Sequence, residues 1–334
     1  MVSRSAVLMG LGGFLPPRSV SNVELAARLD TTDEWIRSRT GISRRCHADP
    51  GMATSDLAIG AGMAALKSAG ESLVDTVVVA TTTPDRPCPG TAPLVASRLG
   101  MTGAAAYDVN AVCTGFLYGL ATGAGLIAAG SAERVLVIGA ETFSSILDPA
   151  DRTTSVIFGD GAGAVVLRAG TADEPGAIGR CDLGSDGEGY DMITVRAGGS
   201  RSRLAEAAPD PADHYFTMAG REVFWRAVQR MTDSCQAVLS QAGLGIGDVD
   251  WLVGHQANQR ILNRLADSLG IPRERCAGNI AEVGNTAAAS IPLALDHAHA
   301  AGLLKPGQRV LLTAFGGGLT WGSTVLTWPE LTRG

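Results

Sequence analysis

Ala64-Ala65-Leu66-Lys67-Ser68-Ala69-Gly70 and Ala237-Val238-Leu239-Ser240-Gln241-Ala242-Gly243 are one phrase written twice, 243 − 70 = 173 positions apart. Each copy ends a helix-period stretch at a glycine, the residue that stops a helix most easily. A buried-strand run follows each, at 74–79 and 249–253, with Asp75 and Asp250 separated by 175. Arg98-Leu99-Gly100 then answers to Ser268-Leu269-Gly270 at an offset of 170, and Arg134-Val135-Leu136-Val137 to Arg309-Val310-Leu311-Leu312 at 175. Between those pairs, Val112-Cys113-Thr114-Gly115 falls opposite Gly284-Asn285-Thr286-Ala287, which pairs Cys113 with Asn285 at 172. Any α/β protein repeats an alanine-rich helix, a glycine and a valine-rich strand, and that would explain one or two matches. It does not explain five in the same order, so the chain reads as a duplication. The strands are continuous apolar runs alternating with helices, which implies sheets buried on both faces. The expected object is an α/β protein of two similar halves, 1–170 and 171–334, facing each other across a pseudo-twofold axis.

Composition agrees. With 46% hydrophobic and 18% charged residues in 334, the chain can bury enough surface to offset the entropy of ordering, which excludes disorder. A net charge of −6 without runs of like charge excludes a broad nucleic-acid or anionic-membrane face. The apolar start, MVSRSAVLMGLGGFLPP, is broken by Gly10, Gly12, Gly13, Pro16 and Pro17 and reads as strand and turn, not as a signal peptide. No stretch reaches the ~18 apolar residues of a membrane span, so a cytoplasmic protein is expected. Six scattered cysteines, none in a C-x-x-C pair, argue against both a disulfide framework and a metal site.

A duplication brings equivalent loops together at the centre. Cys113 precedes a small-residue helical stretch from Leu117 to Gly130, and there the helix dipole and free amides are predicted to lower the thiol pKa. Cys113 is therefore the candidate nucleophile, while Cys181, Cys235 and Cys276 read as buried structural cysteines. His255 follows a second-half strand at the carboxyl end, where α/β sheets bind ligands. Asn285 opens another small-residue helix; alone it would be an N-cap, and its functional reading rests on pairing with His255. Gly316-Gly317-Gly318 would let backbone amides approach a ligand and form an oxyanion hole with the Cys113 amide. Gly159-Asp160-Gly161-Ala162-Gly163 precedes a strand and is a poor phosphate loop.

On these residues the chain resembles the β-ketoacyl-acyl-carrier-protein synthase III family of the thiolase-like condensing enzymes, from about residue 5 to the end. The motifs are DTTDEWIRSRTG at 30–41, AVCTGF at 111–116, FGDGAGAVVL at 158–167, GHQANQRI at 254–261, GNTAAASIPLAL at 284–295 and AFGGGLTWGS at 314–323. The resemblance implies a five-layer αβαβα fold and a homodimer. It also implies transfer of an acyl group from acyl-CoA to Cys113, followed by decarboxylative condensation with malonyl-acyl carrier protein. His255 and Asn285 would stabilise the enolate, and the amides of Cys113 and Gly317 the oxyanion. The CoA adenine would stack between Trp35 and Arg39, near Thr31 and with Arg152 at the phosphate end, while Arg221 and Asn258 would meet the pantetheine. Arg260 and Arg264 would form the basic patch for an acidic carrier protein. Cys88, Phe158 and Phe315 would shape the acyl pocket, Cys88 entering from the neighbouring subunit where many members carry phenylalanine. That smaller side chain predicts a starter longer or more branched than acetyl. No metal and no cofactor is expected, acyl-CoA being a substrate.

Three rivals are weighed against this reading. A thiolase needs a second cysteine where Ala314 and Phe315 stand. A papain-like hydrolase shares the Cys, His, Asn order but has no place for the duplication. A silent pseudo-subunit would lack the nucleophile. Priming of a polyketide pathway, or acyl transfer alone, uses the same chemistry and stays open as the alternative to fatty-acid initiation.

Overall fold

The computed structural model describes residues 4–332; Met1 to Ser3 of the apolar start and the last two residues lie outside it. The first sheet contains β1 (Ser5–Phe14), β2 (Thr76–Ala80), β3 (Ala105–Val109), β4 (Arg134–Glu141) and β5 (Gly161–Gly170), in the order β1-β5-β4-β2-β3. The second contains β6 (Asp182–Ser185), β7 (Trp251–Gly254), β8 (Arg309–Gly316) and β9 (Thr320–Thr327), in the order β6-β9-β8-β7. Four strands of the first sheet match the four of the second in order and direction, and β3 is the extra edge strand of the first. In each, the parallel pair (β2 with β4, β7 with β8) lies beside an antiparallel hairpin partner (β5, β9), and an antiparallel edge strand (β1, β6) follows.

The correspondence extends to single hydrogen bonds. Asp75 takes its amide bond to the Arg134 carbonyl and returns a carboxylate oxygen to the Arg134 amide at 2.7 Å. Asp250 does the same with Arg309, at 2.8 Å. Both pairs lie 175 positions apart, as do the eight-residue strands β4 and β8.

The helices complete five layers. Helix α1 (Asp33–Thr40) lies at the rim near the site; it is capped by Thr32, whose hydroxyl accepts from the Trp35 amide, and stopped by Gly41 in the left-handed region. Helix α2 (Thr54–Ala69) covers the outer face of the first sheet. Helices α3 (Gly115–Ala128) and α6 (Ser290–Ala300) lie between the sheets, α3 against β2, β4 and β9, and α6 against β1, β5 and β7. Helix α4 (Gly220–Gln241) covers β8 and β9, with α5 (Gln259–Leu269) packed on it. The middle layer carries a core drawn from both halves, including Leu8, Val78, Leu120, Val165, Val253, Ile291, Val310 and Trp328. Burying a large aliphatic side chain contributes about 1.5–3 kcal/mol, so this shared layer is what fixes the two halves against each other. Among the described residues, no helix is long and apolar enough to cross a membrane.

Candidate active site

Two short turns meet at the centre, Val112–Thr114 before α3 and Ala287–Ala289 before α6. Each opens on a residue forced into the left-handed region, Val112 at φ 48° and Ala287 at φ 43°. Non-glycine residues there are strained and cluster at functional sites. In each, an asparagine two residues earlier pins the turn: Asn110 Oδ1 accepts from Val112 N at 3.3 Å, and Asn285 Oδ1 from Ala287 N at 2.9 Å. The structural offset here is 175, and this corrects the sequence register of 172. Cys113 corresponds to Ala288, and Asn285 corresponds to Asn110. The sequence match failed because both turns are built of small residues whose identities say little about register.

Cys113, His255 and Asn285 all line one cavity of about 400 Å³, together with Phe158, Phe216, Phe224, Asn258 and Phe315. The Cys113 thiol is not the acidified group its helix position predicts. Burial pushes its pKa up, the Glu141 carboxylate adds to the rise, and only its own backbone amide opposes them. The desolvation of a fully enclosed sulfur outweighs the dipole of a helix that begins two residues later, at Gly115. His255 is buried and its pKa is pushed down to about 3 by desolvation, so its imidazole is neutral at working pH. Its Nδ1 lies 2.6 Å from Ser290 Oγ, and that oxygen also accepts from the Gln256 amide at 3.4 Å. Where the Ser290 hydroxyl donates to Nδ1, Nε2 carries the ring proton and faces as a donor. Asn285 is held through its backbone, its amide donating to the Ile157 carbonyl and its carbonyl accepting from the Gly159 amide, both at 2.9 Å.

Three supporting residues stand out only in the fold. Ser290 orients His255. Glu141, at the end of β4, is fully buried and pushed up to about 7 by desolvation against its hydrogen bonds from Thr82 and Thr83. Arg45 is also fully buried; it donates to the Val20 and Val156 carbonyls and to Asn22 Oδ1, and its pKa is lowered to about 10. Charged residues are almost never buried without a purpose, but no local pattern distinguishes these from surface charges in one sequence.

The remaining candidates are partly together. The guanidinium centres of Arg39 and Arg152 lie 5.9 Å and 5.4 Å from the Trp35 ring centroid. Arg152, expected apart at a phosphate end, is drawn against the ring by its bond to the Asp30 carbonyl at 2.6 Å. Thr31 Oγ1 is buried without a partner beside this group. Asn258 lines the cavity but spends its side chain structurally: Oδ1 caps α5 through the Arg260 amide, and Nδ2 donates to the Arg39 carbonyl. Arg221 lies exposed in the first turn of α4, and Arg260 and Arg264 are exposed one turn apart on α5. The acyl-pocket candidates divide. Phe158 and Phe315 line the catalytic cavity. Exposed Cys88 lines neither cavity of its own chain, while its neighbours Asp85 and Pro87 border a second cavity of about 880 Å³. That second cavity reaches Ala111, Val112, Gly317 and Gly318 on the far side of the Cys113 turn, and Ile193 and Phe216 border both. Of the cysteines read as buried, Cys235 is, whereas Cys181 and Cys276 are partly exposed.

A duplicated thiolase-like fold with a buried cysteine, a neutral histidine and an asparagine on one cavity defines a condensing enzyme. Residues 107–187 match the family profile of 3-oxoacyl-[acyl-carrier-protein] synthase III, and residues 239–328 match its C-terminal profile. Among curated relatives, a β-ketoacyl-[acyl-carrier-protein] synthase III of Streptomyces coelicolor is 67% identical, over 99% of each chain. One of Pseudomonas aeruginosa is 53% identical, over 98% of each. Among solved structures, a 3-oxoacyl-(acyl carrier protein) synthase III from Pseudomonas aeruginosa PAO1 superposes with a TM-score of 0.93 at 52% identity, covering 98% of this chain and 99% of that one. The priming β-ketosynthase of a polyketide pathway superposes with a TM-score of 0.91 at 34% identity, covering 98% of each. The chain belongs to the 3-oxoacyl-[acyl-carrier-protein] synthase III family, whose condensation initiates fatty-acid synthesis.

Proposed function

We propose that the enzyme loads an acyl group from acyl-CoA onto Cys113 and condenses it with malonyl-acyl carrier protein, using no cofactor. The observation that carries this reading is the convergence of Cys113, His255 and Asn285 on one cavity. Thioester exchange is proton-neutral overall: the Cys113 thiolate attacks the acyl carbonyl, and the proton it gives up ends on the departing CoA thiol. Oxyanion stabilisation falls to the amides of Cys113 and Gly317. In the second stage the malonyl carboxylate leaves as CO2, and its bonding pair moves into an enolate. The His255 Nε2–H and the Asn285 amide donate to the enolate oxygen. A neutral donor pair is what this step needs: the reaction requires an electron sink, not a strong base. The enolate carbon then attacks the acyl carbonyl, and Cys113 leaves as a thiolate that takes a proton from solvent.

The Trp35, Arg39 and Arg152 group, with Thr31, is suited to an adenine and its phosphates, because guanidinium and indole planes stack on a base and pair with phosphate. Arg221 is assigned to the pantetheine arm, and Arg260 and Arg264 offer positive charge to an acidic carrier protein. The cavity of about 880 Å³ beyond the Cys113 turn favours a starter longer or more branched than acetyl, with the Cys88 loop of a second copy closing it in a homodimer.

Intact-mass measurement across an acyl-CoA series, followed by malonyl-acyl carrier protein, tests the reading. Mass gain at Cys113 and its loss with appearance of a β-ketoacyl carrier protein are expected, with C4 to C8 starters ahead of acetyl. Acylation without condensation would make the protein a transferase. The likeness to a priming ketosynthase keeps a second pathway in view, and starter preference with each pathway's carrier protein decides between them.

A further inference from the structure

Glu141 ends β4 and Gly316 ends β8, 175 positions apart, so the two occupy the same place in the two halves. A Cβ on Gly316 would lie 2.8 Å from the Cys113 amide nitrogen and 3.1 Å from that of Thr114. Glycine there keeps the Cys113 amide open to a substrate oxygen. In the other half the strand ends in glutamate. Its carboxylate reaches the opposing turn, where the amide of Ala288, the counterpart of Cys113, stabilises the ionised form. The Thr82 amide approaches both carboxylate oxygens at 3.1 Å, and the hydroxyls of Thr83 and Thr81 donate at 2.8 Å and 3.4 Å. A carboxyl group of the protein's own thus faces the Ala288 amide, as an oxyanion held by the Cys113 amide would face Cys113. Burying a carboxylate against an apolar alternative seldom adds stability, so its presence asks for another reason.

We propose that Glu141 is a positioning residue: it plugs the second half's copy of the oxyanion hole and so holds the turn from Asn285 to Ala289 in register for the decarboxylative condensation. The groups facing it from β2 and from the second-half turn are threonines and alanine, and the titratable group that feels it is Cys113. The proposal rests on the assignment of Asn285 to the condensation step.

Glu141→Ala and Glu141→Gln, assayed separately for acyl transfer by intact mass and for condensation with malonyl-acyl carrier protein, test it. In Glu141→Ala, condensation is expected to fall at least tenfold while acyl transfer falls by no more than threefold, because losing the carboxylate lowers the Cys113 pKa and favours its thiolate. Glu141→Gln keeps one acceptor oxygen, so a smaller loss of at least threefold is expected, and this variant decides if the alanine protein does not fold. A lesser loss of condensation in the deciding variant, or a loss of acyl transfer beyond threefold, overturns the proposal. Asn285→Ala run beside them separates the two failures. Normal condensation in that variant faults the Asn285 assignment, whereas its failure beside normally condensing Glu141 variants faults Glu141 alone.

Discussion

The turns at Val112–Thr114 and Ala287–Ala289 share a left-handed first residue and an asparagine two positions before it, yet one, the reactive turn, carries the proposed nucleophile and the other, the silent turn, an alanine. The difference lies in two side chains. The reactive turn carries Cys113 opposite Gly316, and the silent turn carries Ala288 opposite Glu141. On this proposal the duplicated backbone offers two turns whose amides face an oxygen, and the residue ending the facing strand sets which one a substrate reaches.

The largest effect comes from removing what only the reactive turn has. Cys113→Ser is expected to lower acyl transfer by about 10³-fold or more, since a serine hydroxyl without a base is a poor nucleophile; rate of acyl-CoA consumption measures it. Next comes Gly316→Ala, which makes the reactive turn resemble the silent one by placing a methyl 2.8 Å from the Cys113 amide. A loss of about 10²-fold in acyl transfer is expected, the scale of a lost oxyanion donor, with the thermal midpoint showing how much of it is unfolding. Unchanged activity would mean the oxyanion lies elsewhere.

A subtler change gives the silent turn its missing thiol. Ala288→Cys is expected to take up one acyl group per chain, not two, because Glu141 already occupies the anion position there. Peptide mapping after acyl-CoA treatment shows which cysteine is loaded, and acylation at position 288 would break the comparison.

The smallest effect is on stability. Glu141 is raised from 4.5 to about 7 in the folded protein, so the folded state binds the extra proton between those values. Its contribution is present at acid pH and is lost as pH rises through 7, by about 3 kcal/mol at ~1.4 kcal/mol per pKa unit. Urea unfolding at pH 4.5 and pH 8 should show that much more loss in wild type than in Glu141→Gln. The His255 contribution runs the other way, fading as pH falls from 6.5 toward about 3, and cancels between the two proteins because both carry it.

Much of this architecture is legible in the chain itself. Asp75 and Asp250 carry the duplication because each must bond the strand beside it, Arg134 and Arg309, and that demand leaves a fixed residue at a fixed spacing. Cys113, His255 and Asn285 are legible because scarce residue types stand where strands turn into helices. The turn register was not, since alanines and glycines satisfy it at several alignments. The Cys113 acidity was misjudged for a related reason: the dipole is written locally in a helix start, whereas burial depends on what the rest of the chain places around it. Glu141, Ser290 and Arg45 matter through partners 35 to more than 100 positions away, and no local rule reaches so far.

The middle layer has one more consequence. Because α3 and α6 are each clasped by strands of both sheets, neither half keeps a lined interior if the other is removed. The protein should melt in one transition, and a chain nicked in the exposed loop near Gly198 and Gly199 should stay together as a working two-piece complex until both pieces unfold at once. Two ancestral copies have become a single thermodynamic unit.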